Sequence, residues 1–269
     1  MGFSSFAGLD LEEAIGRESA PEVLWIFVHI PKTAGSSFAN ELAELREPYR
    51  NIHVNYEDTT TPHDVKLEQA VSEFIEDCRV TPYRSCSGHL NMRHVLRIRE
   101  AVPGARIISL LRNPVERVIS DFRYARTPAH PPYKEFIRQF PTIEAYVNSP
   151  VSQNKMFRFL TPKPNLGMTE FFAFIDANVS FLGLTELYPM SVNVASRLFG
   201  LDHLPASHKR KTESTTNNQV EKSPELLNQI REMNAKDIAL YRLVRERLAA
   251  KREQWLASRG GHSLKSATQ

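Results

Sequence analysis

A chain of 269 residues, 41% of them hydrophobic, can bury one large core and suits a single domain better than two small ones. Its 34 basic and 31 acidic residues leave a formal net charge of +3, too balanced for a protein whose main partner is bulk nucleic acid or a membrane surface, so any cationic site is local. Two cysteines, Cys78 and Cys86, make no disulfide framework and suit a reducing compartment as buried free thiols, with one bridge between them as the alternative.

Residues 1–22 read as an N-terminal extension without a basic start or an apolar signal core, and Phe6 stands where a myristoylation motif requires Ser or Thr. Val23 to Ile30, interrupted only by His29, is the longest apolar run. It falls far short of the ~20 residues a membrane helix needs, so no transmembrane segment and a cytoplasmic location are expected. The same run reads as a central strand buried on both faces, and Phe38, Leu42 and Leu45 then recur at helical spacing from Ser36 on.

"HDVKLEQAVSEFIEDC" reads as an amphipathic helix and "YRSCSGHLNM" as a short strand ending in a glycine turn. Arg106 to Leu111 is a second buried strand; Arg112 and Asn113 turn, and Pro114 opens a helix at its first position. Two strand-turn-helix units imply a parallel sheet and an α/β fold. Residues 127–168, rich in proline and aromatics, read as a partly helical insertion on the acceptor side, and Phe181 to Leu184 as a further strand followed by a helix. Residues 208–218 are polar and basic, an exposed loop. Ser223, Pro224 and Glu225 then start one long helix running to about Ala257, before a flexible tail over 258–269.

The first turn, "PKTAGSSF", has the makings of an anion cradle: amides at a helix start, the positive end of its dipole, Gly35 for close approach, and donors on Lys32, Ser36 and Ser37. The order differs from GxxxxGK[ST], in which Lys follows the glycines and a magnesium-binding hydroxyl comes next, because here Lys32 precedes Gly35 and Ser36. At the second turn a triphosphate-using enzyme usually carries a strand-end Asp for the metal, whereas this strand ends in Arg112. Ser120, eight residues on, returns to the side of the helix start. One anion at each turn describes a ligand phosphorylated at two ends.

"HIPKTAGSSF" resembles the 5′-phosphosulfate loop, and "LLRNPVERVISDFRY" the 3′-phosphate motif, of sulfotransferases that use 3′-phosphoadenosine 5′-phosphosulfate (PAPS), nearest the branch of the heparan sulfate 2-O- and 6-O-sulfotransferases and bacterial carbohydrate sulfotransferases. The resemblance implies a P-loop-like three-layer fold over 23–257, with a central parallel sheet flanked by helices, a helical insertion and a long C-terminal helix. By position it assigns Lys32 to the phosphosulfate and its bridging oxygen, Thr33, Ala34, Gly35, Ser36, Ser37 and Phe38 to the backbone cradle, and Arg112 and Ser120 to the 3′-phosphate. No metal is implied, since a sulfuryl group carries less charge than a terminal phosphate and Lys32 can stand in for magnesium. The acceptor hydroxyl needs a base. His89, in "CSGHLNM", matches the element that supplies the catalytic histidine in this branch, and Glu41, four residues after Ser37 and on its helix face, is the alternative.

By the same resemblance Lys209, Arg210, Lys211 and Thr215 close over the nucleotide, and Asn154 and Arg158 lie near the acceptor. Arg93 and Tyr124 belong to a basic and aromatic mixture that suits a sugar acceptor, an acidic one included, by stacking and hydrogen bonding. The expected partners are the nucleotide donor and a carbohydrate, glycolipid or small natural-product acceptor, with no nucleic acid, in a bacterial cytoplasm. A P-loop-like nucleotide kinase and a nucleotide-binding module that has lost activity are the competing readings.

Overall fold

A computed structural model describes residues 2–55, 58, 60–130, 132–205, 215 and 218–259. In chain order its elements are α1 (Ser5–Gly8), α2 (Leu11–Glu18), β1 (Trp25–Val28), α3 (Gly35–Leu45), β2 (Tyr49–Ile52), α4 (His63–Asp77), β3 (Ser85–Gly88), α5 (Met92–Ala101), β4 (Arg106–Leu111) and α6 (Pro114–Ala125). There follow α7 (Tyr133–Gln139), α8 (Ile143–Val147), α9 (Lys155–Leu160), α10 (Met168–Asn178), β5 (Phe181–Leu184), a 3₁₀ turn at Thr185–Leu187, α11 (Tyr188–Leu198), α12 (Pro224–Met233) and α13 (Ala235–Ser258). None of the described helices is long and apolar enough to cross a membrane.

The five strands form one parallel sheet in the order β2-β3-β1-β4-β5, flanked by helices, as the α/β expectation required. Strands β1, β3 and β5 are buried along their whole length, which is why their sequences are apolar or small rather than alternating. The winding reverses at β1, with β3 on one side and β4 on the other. In an open parallel sheet the crevice beyond the carboxyl ends of the strands at such a reversal is where ligands bind. Register places Val28 opposite both Gly88 and Ser109, so the turns that follow β1, β3 and β4 emerge side by side.

Three features depart from the reading of the sequence. Strand β2 was not foreseen. The apolar residues of the N-terminal extension, Phe3, Phe6, Leu11, Ala14 and Ile15, belong to the main core, and the buried Glu18 carboxylate accepts from Gly2 N (2.8 Å) and Ser5 Oγ (2.7 Å). The single long C-terminal helix is two, broken at Asn234, whose Oδ1 accepts from Asn154 N at 2.9 Å and whose Nδ2 donates to Ile230 O. At that break two helix starts cap each other. Asn154 Oδ1 takes the amides of Lys236 (3.0 Å) and Asp237 (3.2 Å), while the buried Asp237 carboxylate takes those of Met156 (3.1 Å) and Phe157 (2.7 Å).

Helix α6 belongs to a second core. Val115, Val118, Ile119 and Phe122 form an apolar cluster with Phe140, Ile143, Tyr146, Val147, Leu226 and Ile230, so α6, the insertion and α12 pack together. Cys78 and Cys86 are both free, Cys86 fully buried.

Candidate active site

The turn after β1 holds two non-glycine residues in the left-handed region, Lys32 (φ 70°) and Ala34 (φ 62°). That conformation is uncommon outside glycine and asparagine and persists only where the surroundings enforce it. Here Thr33 is buried and its Oγ1 donates to Ile30 O (2.9 Å), and Phe38 anchors the following helix against Phe27 with ring centroids 4.7 Å apart. Ala34 is the residue at the N-cap of α3 and no side chain caps the helix, so the first-turn amides have only backbone or ligand acceptors to meet. Helix α6 differs: Asn113 Oδ1 already accepts from Val115 N (3.0 Å) and Glu116 N (3.4 Å). An anion at the second turn would therefore be held by side chains rather than by the helix start.

Arg112, at the end of β4, leans across to the first turn, with Nη1 3.4 Å from Lys32 O. The Lys32 ammonium lies 3.9 Å from the centroid of the Tyr124 ring, a cation–π contact, and the Tyr124 hydroxyl donates to Ala129 O (3.0 Å). Burial lowers the Lys32 pKa; the Asp121 carboxylate acts against that and the Arg112 guanidinium with it.

His89 leaves β3 beside His29, their ring centroids 4.3 Å apart, and its Nδ1 is 2.7 Å from His29 O. A carbonyl only accepts, so Nδ1 carries the hydrogen and Nε2 of the neutral ring holds the free lone pair. His89 is exposed to solvent, yet the protein around it lowers its pKa below the ordinary 6.5 by desolvation, against the bond to His29 O, which raises it. His29 is more enclosed: burial first, then His89 and Lys32, push its pKa down to about 3.

A buried ion cluster not anticipated from the sequence backs these groups. Asp121 Oδ2, on α6, accepts from Lys155 Nζ (2.6 Å), Tyr146 Oη (2.9 Å) and Arg117 Nη1 (3.1 Å), and Arg117 Nη2 donates to Ser152 O (2.8 Å). Burial raises the Asp121 pKa, but Lys155 and Arg117 outweigh it and hold the carboxyl at about 2. The charges of Asp121 and Lys155 are felt at both His89 and His130. Arg117 and Asp121 are four apart, a spacing legible as a helix pair; no spacing links Lys155 to them.

The expected residues thus divide. Lys32, Arg112 and Tyr124 converge, with His89 at the next strand end, Ser120 half-buried on α6, Ser36 exposed and Ser37 half-buried on the first turn of α3. Glu41 accepts from His203 Nε2 at 2.7 Å. Arg93 pairs with Glu68 at 3.2 Å, Arg158 donates to Val151 O at 2.9 Å, and Asn154 spends its Oδ1 on the start of α13 and its Nδ2 on Met233 O (3.2 Å), at the end of α12. Thr215 is exposed, and Lys209, Arg210 and Lys211 lie outside the described residues.

No family model matches the chain, and no curated protein does. Among solved structures it is similar to a sulfotransferase from Alicyclobacillus acidocaldarius, at 18% identity and a TM-score of 0.45 over 87% of this chain and 99% of that one. It is also similar to mouse sulfotransferase SULT7A1 complexed with PAP, at 14% identity and a TM-score of 0.41 over 91% of each chain.

Proposed function

We propose that the chain is a sulfotransferase that moves the sulfuryl group of PAPS to a hydroxyl of a carbohydrate, glycolipid or small natural product. The observation that carries this reading is the meeting of three strand ends: Lys32 after β1, Arg112 after β4 touching Lys32 O at 3.4 Å, and His89 after β3 with its Nδ1 tied to His29 O at 2.7 Å. Two cations and an imidazole base share the carboxyl end of the sheet, beside a helix start without a side-chain cap.

Each group has a task. The amides of Gly35, Ser36 and Ser37 and the Lys32 ammonium receive the 5′-side anion, and Lys32 stabilises the charge that gathers on the departing phosphate oxygen. Arg112 and Ser120 hold the 3′-phosphate by side-chain donation. His89 Nε2 takes the proton of the attacking hydroxyl; Glu41 is less suited, because its carboxylate already accepts from His203. The bound nucleotide supplies the activated sulfuryl group, and the protein orients it, holds the counter-charges and removes the proton.

Titration calorimetry with 3′-phosphoadenosine 5′-phosphate, against ATP with magnesium, tests the reading. Micromolar binding of the bisphosphate without metal, and sulfate transfer from PAPS in a screen of sugars, glycolipids and phenols, are expected. Preference for ATP and dependence on magnesium would reject it.

A further inference from the structure

A cleft of about 300 Å³ opens on the β2 side of His89, between the ends of β1 and β3 and the start of α4. From its geometry we infer that it seats one uncharged hydroxylated ring, which presents the hydroxyl that His89 deprotonates; this deepens, and rests on, the sulfotransferase reading above.

Four histidines line the cleft, His29 and His89, whose rings are 4.3 Å apart, together with His53 and His63, and Asn51 lines it as well. His53 Nδ1 lies 3.3 Å from Asn51 O, so it donates there and leaves Nε2 as an acceptor for a hydroxyl. Ile52, Val54 and Leu67 supply an apolar floor against which a ring face can lie. Among the described lining residues there is no Lys, Arg, Asp or Glu. The cations nearby are committed elsewhere, since the Lys66 ammonium donates to Asn55 O (2.9 Å) and Asp58 O, and Arg93 and Arg97 both pair with Glu68. Of the anions, the Asp58 carboxylate takes Thr60 N (2.8 Å) and Thr61 N (3.1 Å), and the exposed Asp64 carboxylate, 3.9 Å from His63 Nδ1, would repel an acidic ligand. A carboxylated or sulfated sugar calls for a guanidinium or ammonium in the wall. Neutral donors and acceptors over an apolar floor call for hydroxyls on an uncharged ring.

The walls are firm. A β-carbon on Gly88 would lie 2.4 Å from Ile52 O, so the end of β2 is pressed onto β3, and Lys66 ties the connection from β2 back to α4. The volume is at the small end for ligand pockets and takes one ring, not a buried oligosaccharide. Among the described residues no three His, Cys, Asp or Glu side chains converge as metal ligands, and the imidazoles read as hydrogen-bonding groups.

The test labels the full chain with ¹⁵N-histidine, assigns the imidazole signals with His53→Gln and His63→Gln, and titrates three probes at millimolar concentration: phenol, methyl β-glucopyranoside and methyl β-glucuronide. The His53 and His63 signals should move with phenol or the glucoside, which separates an aromatic from a sugar ring, and stay still with the glucuronide. With the acceptor so found, Asn51→Ala should raise its KM about tenfold, the worth of one hydrogen bond, and leave nucleotide affinity within about twofold. Signals that move with the glucuronide alone, or with no probe, overturn the inference. Calorimetry with 3′-phosphoadenosine 5′-phosphate stands apart: nucleotide binding with unmoved histidines removes the cleft assignment only, whereas absent nucleotide binding removes the sulfotransferase reading.

Discussion

At Gly35 a β-carbon would lie 1.9 Å from Cδ2 and 2.2 Å from Nε2 of His29. Close approach of a ligand is the usual reason for a glycine in such a turn; here the space is also needed by a side chain of the same protein. Gly35→Ala should therefore cost about 1–3 kcal/mol by overpacking, and most of that should vanish in a His29→Ala background when both pairs are compared by denaturant unfolding. Additive losses would show that the ring gives way freely. His89 makes a second prediction at this scale. Its lowered pKa keeps the imidazole neutral, and so a competent base, down to below pH 6.5, so kcat/KM should be flat above neutrality with the acid limb that His89 causes under that value. His89→Ala should lose about 10²- to 10⁴-fold in kcat and keep nucleotide affinity, whereas Arg112→Ala should weaken nucleotide binding by about 1.5–3 kcal/mol, the worth of a charged hydrogen bond. Asp121 titrates the fold instead. Its carboxyl, at about 2 in the folded chain against an ordinary 3.8, adds stability above pH 4 that is lost as pH falls towards 2, and Asp121→Asn should flatten acid unfolding over that window.

Among the elements, β1, α3, β4 and α6 were legible because each has a strong local signal: a buried apolar run, then small residues or an Asn-Pro opening a helix. Strand β2 carries only "YRNI", four residues with two exposed, at the sheet edge, where pairing with β3 rather than pattern makes it a strand. The break at Asn234 was illegible for a related reason. "REMNAKD" contains neither proline nor glycine, and an asparagine is tolerated within a helix; only the meeting with Asn154 turns it into a terminus. Asn154→Ala would strand the amides of Lys236 and Asp237, and a loss of about 1–3 kcal/mol is expected in thermal or denaturant unfolding. Unchanged stability would mean that α13 needs no such cap.

For the whole molecule, a second apolar core is built on α6, which presents Asp121 and Tyr124 to the site and Val115, Val118 and Ile119 to that core. Lys32, Arg112 and His89 were readable because each stands at a strand end in a recognisable turn. Asp121 with Lys155, and His53 with His63, were not, because folding alone brings them together across 34 and ten positions. Because α6 leans on the second core, Ile230→Ala, some distance along the chain from any site residue, should destabilise by about 2–5 kcal/mol in denaturant unfolding.

The mutual caps at Asn154 and Asn234 also bear on the order in which the protein can assemble on the ribosome. Lys155, whose charge is felt at His89, follows directly on Asn154, and Asn154 is held by residues made 80 or more positions later. At about 5–20 residues per second, that segment is synthesised roughly 4–16 s after Lys155 itself. A nascent chain can build its sheet and both anion turns in the meantime, but the cation that pairs with Asp121 reaches its final place only when the start of the last helix has emerged.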